Sequence, residues 1–248
     1  MTTLQGSAFG ADEMIADERP AYGGSVDDPE SAYRLTADEE ATLLRGAPWR
    51  RMVVIGDSIA EGVGEPTEGF PDQGWADSVA DALDRANPGL AYLNLGQRDL
   101  RADAIRAAQL EPGLAFDPDL AVVVAGGNDL LRGRFDIEPV AAHIEAMVAA
   151  FAATGADVVT LGLYDCTGSP YIPDEFRGPM AERIRELNNR TWEIARAHGA
   201  VHIDCTNHPG SKDPAIYGSD GLHGNRRGHS FTAAVALRAI GARLGNRT

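Results

Sequence analysis

A chain of 248 residues, 44% of them apolar, can bury the core of one large α/β domain and reads as a soluble globular protein. Its formal charge of −15 excludes the clustered Lys and Arg surface that nucleic acid or anionic lipid requires. The single lysine, Lys212, and the absence of a G-x-x-x-x-G-K segment exclude a P-loop and leave almost no room for Schiff-base chemistry.

Up to about residue 34 the chain is acidic (Asp12, Glu13, Asp17 and Glu18 among others) and shows neither helical nor strand periodicity. Thr36-Ala37-Asp38-Glu39 then predicts a capping box and Gly46 a stop, giving one short helix whose Leu43 and Leu44 pack on the main domain. Residues 1–48 are therefore read as an acidic N-terminal extension and residues 49–248 as the main domain.

From there strands and helices alternate. Met52-Val53-Val54-Ile55 marks a buried strand over about 51–56, and Trp75, Val79 and Leu83 mark an amphipathic helix over 75–86. A strand is predicted over 91–95 and a helix over 101–110. The apolar run 119–125 is the clearest buried strand, followed by a helix at about 137–154 and a strand over 157–163. A long helix over 180–198 ends at Gly199, a fifth strand covers 200–204, and the last helix runs from about 226 to 244. Such alternation gives a three-layer α/β/α sandwich on a five-stranded parallel sheet, flavodoxin-like in type. Right-handed crossovers bring every strand-to-helix loop to one edge.

Two cysteines, Cys166 and Cys205, have neither metal-ligand spacing nor a disulfide framework, so reduced thiols are expected unless the fold brings them together. No apolar run reaches the length of a membrane span, and the N-terminus lacks a basic-then-apolar leader. A cytoplasmic protein with no membrane partner is the expectation.

The loop edge gathers an inventory suited to acyl transfer. Gly56-Asp57-Ser58 follows the first strand, Asn94-Leu95-Gly96 the second, Gly126-Gly127-Asn128-Asp129 the third, and Asp220-Gly221-Leu222-His223 comes after the fifth. A serine can attack a carbonyl, a histidine can take and return its proton, and an aspartate can orient the imidazole. Amide donors from a glycine turn and a side chain can stabilise the oxyanion. Taken alone, Ser58 also suits a helix N-cap.

In order and spacing these four blocks resemble those of the SGNH (GDSL-type) hydrolases over residues 49–244. That resemblance implies a serine esterase working on a small-molecule ester through an acyl-enzyme, with no cofactor and no metal. It assigns Ser58 as nucleophile, His223 as base and Asp220 as orienter. The oxyanion hole would come from Gly96, Asn128 and the Ser58 N–H. The sequence departs from the family pattern at Gly224, where proline is frequent, and at Gln97-Arg98, where small residues are usual. An α/β-hydrolase elbow needs G-x-S-x-G, and Ala60 occupies its last position.

Two readings from other classes stay open: a non-catalytic doubly wound binding module, and a metal-dependent phosphoesterase built on Asp57, Asp129, Asp220, His223 and His208. His229 is expected to be structural or to support a catalytic group, and His143, His198 and His202 have no evident partner. Residues 164–178, with Tyr164, Tyr171, Ile172 and Phe176, are candidates to line an acyl pocket. Glu61, Glu65, Glu68 and Asp72 on the loop after Ser58 predict a negative site mouth that favours neutral or cationic esters. Acyl chain, alcohol and oligomeric state have no signature in the sequence.

Overall fold

A strand without polar side chains on either face is stable only where a sheet is covered on both sides. Met52-Val53-Val54-Ile55 meets that condition at the centre of β1 (Arg51–Gly56), where all four side chains are fully buried. The computed structural model of the chain describes residues 33–131, 134–170 and 172–245. Within them β1 pairs with β2 (Ala91–Asn94) on one side and β3 (Leu120–Val124) on the other. β4 (Asp157–Gly162) and β5 (Val201–Asp204) extend the sheet beyond β3. All pairs are parallel and the order is β2-β1-β3-β4-β5. This is the flavodoxin-like order, and its topological switch point lies between the carboxyl ends of β1 and β3.

Helices α1 (Ala37–Leu43), α3 (Trp75–Ala86) and α8 (Arg226–Gly245) pack together on one face. Helices α4 (Ala102–Ala115), α6 (Ile137–Ala153) and α7 (Asp174–Ala197) pack on the other. The predicted capping box closes α1: Glu39 N–H donates to Thr36 Oγ1, and Glu39 Oε2 accepts from Thr36 N–H at 2.7 Å. Leu44 is buried beside it, and Leu43 abuts Gly241 of α8. Tyr33, Ala47 and Trp49 are buried too, so together with Leu44 they join the main core. The acidic stretch before it lies outside the described residues.

Three differences from the expected elements have physical causes. Helix α7 begins at Asp174, six residues before the predicted start, and runs through Gly178 and Pro179. Asp174 and Glu175 in its first turn complement the helix dipole, and Asp174 pairs with Arg177 at 2.9 Å. Helix α4 likewise continues past Leu110 through Pro112. Two short helices, α2 (Ser58–Glu61) and α5 (Gly127–Leu131), begin directly after β1 and β3. Four or five residues are too few to show a 3.6-residue period.

Candidate active site

The carboxyl end of β1 is held from three sides. Gly56 N–H donates to Gln109 Oε1 at 2.7 Å and Gln109 Nε2 donates back to Gly56 O at 3.0 Å. Gly56 has no room for a side chain, because a Cβ there would stand 2.4 Å from Val124 O. Asp57 then caps α2, accepting Ile59 N–H at 3.0 Å, so the helix cap is Asp57 and not Ser58. Ser58 becomes the first residue of α2, where no intrahelical acceptor exists for its N–H.

Ser58 Oγ lies 2.8 Å from His223 Nε2, and His223 Nδ1 lies 2.6 Å from Asp220 Oδ2. A carboxylate only accepts, so Nδ1 carries the proton and Nε2 is left to accept from the serine hydroxyl. Asp220 Oδ1 also accepts the N–H groups of Leu222 and His223, each at 2.9 Å. Partial burial works against the Asp220 charge. The hydrogen bond from the His223 ring and the two backbone donors outweigh it and hold the carboxyl below its ordinary range.

Asn128, the second residue of α5, lines the same cavity as Ser58 and His223. One amide hydrogen of its Nδ2 goes to Leu100 O at 3.0 Å, which ties α5 to the 95–101 loop. Asp129 reinforces that tie by accepting Ala102 N–H at 3.0 Å.

Gly96 sits where the β2 loop meets α2. Its N–H donates to Asn94 Oδ1 at 2.8 Å, and the residue is absent from the cavity wall. A Cβ at Gly96 would meet Glu61 N at 2.3 Å, so the glycine lets the β2 loop close against α2. Asn94 Nδ2 also donates to Ala60 O at 2.8 Å. The Asn94-Leu95-Gly96 block thus fixes the helix that carries Ser58 and spends its amide on that task.

The cavity beside Ser58 has a volume of about 470 Å³. Its buried wall includes Trp75, Leu130, Leu161, Cys166 and Ile184, while Arg98, Asp99 and Leu131 stand exposed at its mouth. Its aromatic and histidine groups are already bonded. Tyr164 Oη–H donates to Gly228 O at 2.5 Å. Trp75 N–H donates to His229 Nδ1 at 3.2 Å, and the opposite nitrogen, Nε2–H, donates to Val63 O at 3.0 Å. Burial lowers the His229 pKa to about 4, which keeps this bridge neutral.

Other candidates fall elsewhere. Phe176 is 58% exposed, and neither it nor Ile172 lines the cavity; Tyr171 lies outside the described residues. His208 is buried edge-on against Phe231 and accepts Gly210 N–H at 3.0 Å, and His202 bridges Thr160 and Asn188. Among the described residues no group of three or more His, Cys, Asp and Glu converges as a metal cage. Cys166 and Cys205 are free and buried, and burial pushes the Cys166 thiol up to about 11.

The GDSL-like Lipase/Acylhydrolase family model matches residues 54–231. The chain belongs to that family. It is an ester-hydrolysing enzyme. No curated protein sequence matches it. An acetylxylan esterase from Geobacillus stearothermophilus superposes with a TM-score of 0.61 at 20% identity, over 79% of this chain and 94% of that one. A lipase/acylhydrolase from Enterococcus faecalis gives 0.60 at 24%, over 78% and 96%. An alpha/beta hydrolase enzyme from the metagenome of Lake Arreo gives 0.63 at 21%, over 81% and 98%. At these identities the likeness is one of fold.

In this GDSL-like hydrolase three of the four loop carboxylates are engaged by named partners. Glu61 accepts Arg98 N–H at 2.6 Å, Glu65 holds Ser219, and Asp72 takes Arg226 Nε–H at 2.6 Å. None of the four lines the cavity; Arg98 and Arg226 offset Glu61 and Asp72, while Glu65 keeps its charge beside the neutral Ser219. Sequence reasoning also missed Gln109. Its signal was a polar residue on the helix face that Ala102, Ile105 and Gly113 bury.

Asp57 is the charged group that folding penalises most visibly here. Burial, helped by neighbouring Asp129, raises its pKa to about 6 against Ile59 N–H and His223, which favour the anion. A folded value above the unfolded 3.8 means that stability falls as pH rises from 3.8 to about 6. Asp57→Asn keeps an acceptor for Ile59 N–H and removes the charge. It should therefore gain stability over the parent by up to about 3 kcal/mol at pH 7.5 and lose that advantage near pH 4. Urea titrations at both pH values check this; a variant no more stable at pH 7.5 rules out the burial penalty.

Proposed function

We propose that the chain is a cofactor-independent serine hydrolase that cleaves small ester substrates through an acyl-enzyme. The observation that carries this reading is the chain of contacts from Ser58 Oγ through His223 to Asp220, at 2.8 and 2.6 Å. As Ser58 Oγ attacks the ester carbonyl carbon, its proton passes to His223 Nε2 and the carbonyl oxygen takes up negative charge. Asp220 stabilises the imidazolium. Ser58 N–H and the second Asn128 Nδ2 hydrogen donate to the oxyanion; Gly96, whose N–H is bonded to Asn94, is no part of this hole.

The tetrahedral intermediate collapses by breaking the bond to the alkoxy oxygen, which leaves as the alcohol with the proton from His223. Water then attacks the acyl-serine, giving its proton to Nε2, and the acid is released with Ser58 restored. Val63, Leu161, Leu163 and Ile184 favour an apolar acyl portion inside the cavity. A hydroxyl placed against these four side chains would go unpaired, at a cost of roughly 1–3 kcal/mol per group.

The test is covalent capture. A fluorophosphonate should label Ser58, located by peptide mass mapping, and the adduct should be lost in His223→Ala. Absence of label at Ser58 in the folded parent sinks the proposal.

A further inference from the structure

The turn that carries Asp220 and His223 is tied internally by short-range bonds alone. Three glycines, Gly218, Gly221 and Gly224, fall within seven positions, and Gly221 adopts φ +65°. Asp220 and Ser219 are exposed, so no buried side chain anchors its tip. Its internal ties are all short-range: Gly218 N–H to His223 O at 2.9 Å, Gly221 N–H to Gly218 O at 3.0 Å, the Leu222 and His223 N–H groups to Asp220 Oδ1, and Asn225 Nδ2 to Tyr217 O at 3.0 Å. Bonds of this kind shape the turn, and its placement over Ser58 depends in addition on what another segment grips.

That grip comes from 154 residues away. Glu65 Oε2 accepts Ser219 N–H at 3.1 Å, and Glu65 Oε1 accepts the Ser219 hydroxyl. Both carboxylate oxygens thus close on the residue adjoining Asp220. The Glu65 backbone carbonyl accepts Arg226 N–H at 2.9 Å, so one residue holds the chain on both sides of His223. Arg226 answers by donating to Gly62 O at 2.9 Å and to Asp72 at 2.6 Å.

The gripping loop is itself backed by the residues before α1. Arg34 lies 4.2 Å over the Phe70 ring and donates to Gly69 O at 2.6 Å. Arg227 lies 4.3 Å over Tyr33 and 5.8 Å over Phe70, and the Tyr33 hydroxyl donates to Asp213 at 2.5 Å.

We propose that Glu65 is a positioning residue for the Asp220–His223 turn, the loop over 62–72 acting as a clamp backed by Tyr33 and Arg34. This rests on the reading of His223 as base. Glu65 touches no reacting atom and is outside the cavity wall, so its effect runs through the placement of the imidazole over Ser58.

The experiment compares parent, Glu65→Ala, Glu65→Gln and Ser219→Ala on a short p-nitrophenyl ester, with fluorophosphonate titration of competent sites and melting curves. Glu65→Ala should lower kcat per titrated site by on the order of tenfold with KM nearly unchanged, as displacement of a catalytic group does. Glu65→Gln keeps an acceptor for Ser219 and should recover a large part of that loss. Ser219→Ala, which keeps the N–H and drops one of the two bonds, should fall between Glu65→Ala and the parent. If Glu65→Ala and Ser219→Ala both keep parental kcat per site, the clamp is wrong while the esterase reading stands. A loss of activity matched by an equal loss of titratable sites or a collapsed melt also overturns it, since Glu65 would then serve folding alone. A parent that neither labels at Ser58 nor turns over the ester overturns the esterase reading itself.

Discussion

Replacing Ser58 or His223 by alanine should lower kcat by on the order of 10⁴–10⁶ while leaving the fold intact. Without the hydroxyl there is no atom to receive the acyl group, and without the imidazole the hydroxyl proton has nowhere to go at neutral pH. His223 sits on a half-exposed turn, so its removal leaves the buried core untouched. The double variant should be scarcely slower than either single one, because the two side chains perform one step together. Asp220→Ala should cost less than His223→Ala. Asp220 is half exposed, so water can replace part of its contact with Nδ1. Single-turnover kinetics on a p-nitrophenyl ester, with melting curves as control, give all four values. Multiplicative losses in the double variant would show that Ser58 and His223 do not act on a common proton.

Much of this site was legible because its blocks sit where periodicity is strong. Met52 to Ile55 and Leu120 to Val124 are uniformly apolar, and each delivers its loop to the sheet edge without ambiguity. The Trp75–Ala86 helix matched its predicted ends because Val79, Ala80 and Leu83 repeat at helical spacing and are buried. What escaped is the set of contacts made across long separations. A pattern of Asn94-Leu95-Gly96 cannot tell whether the glycine amide faces substrate or folds back on Asn94; that depends on how closely α2 approaches. Glu65 and Ser219 are ordinary surface residues until two loops meet. Their carboxylate and hydroxyl carry no local signature, so the sequence shows an acidic loop without the individual hydrogen bonds it makes. The early start of α7 was hidden by Gly178-Pro179, which normally punctuates a helix and here sits inside one.

Asn128→Ala should lower kcat by on the order of 10²–10³ and leave KM nearly unchanged. The ester oxygen is neutral in the ground state and becomes charged only as Ser58 adds, so a donor aimed at it strengthens its bond in the transition state alone. Asn128 Nδ2 has two hydrogens, and the one committed to Leu100 O leaves the other for this role. That same bond to Leu100 supplies a competing account in which Asn128 merely ties the 95–101 loop to α5. Loss of the tie should lower the melting temperature and the number of competent sites, yet spare the rate at each site that still forms. Losing the oxyanion donor does the reverse: sites still form and still take up fluorophosphonate, and each turns over slowly. Titrating sites with the fluorophosphonate and dividing kcat by that count therefore separates the two. A near-parental rate per titrated site, with a lowered melt, would remove Asn128 from the oxyanion hole and leave Ser58 N–H without its side-chain partner.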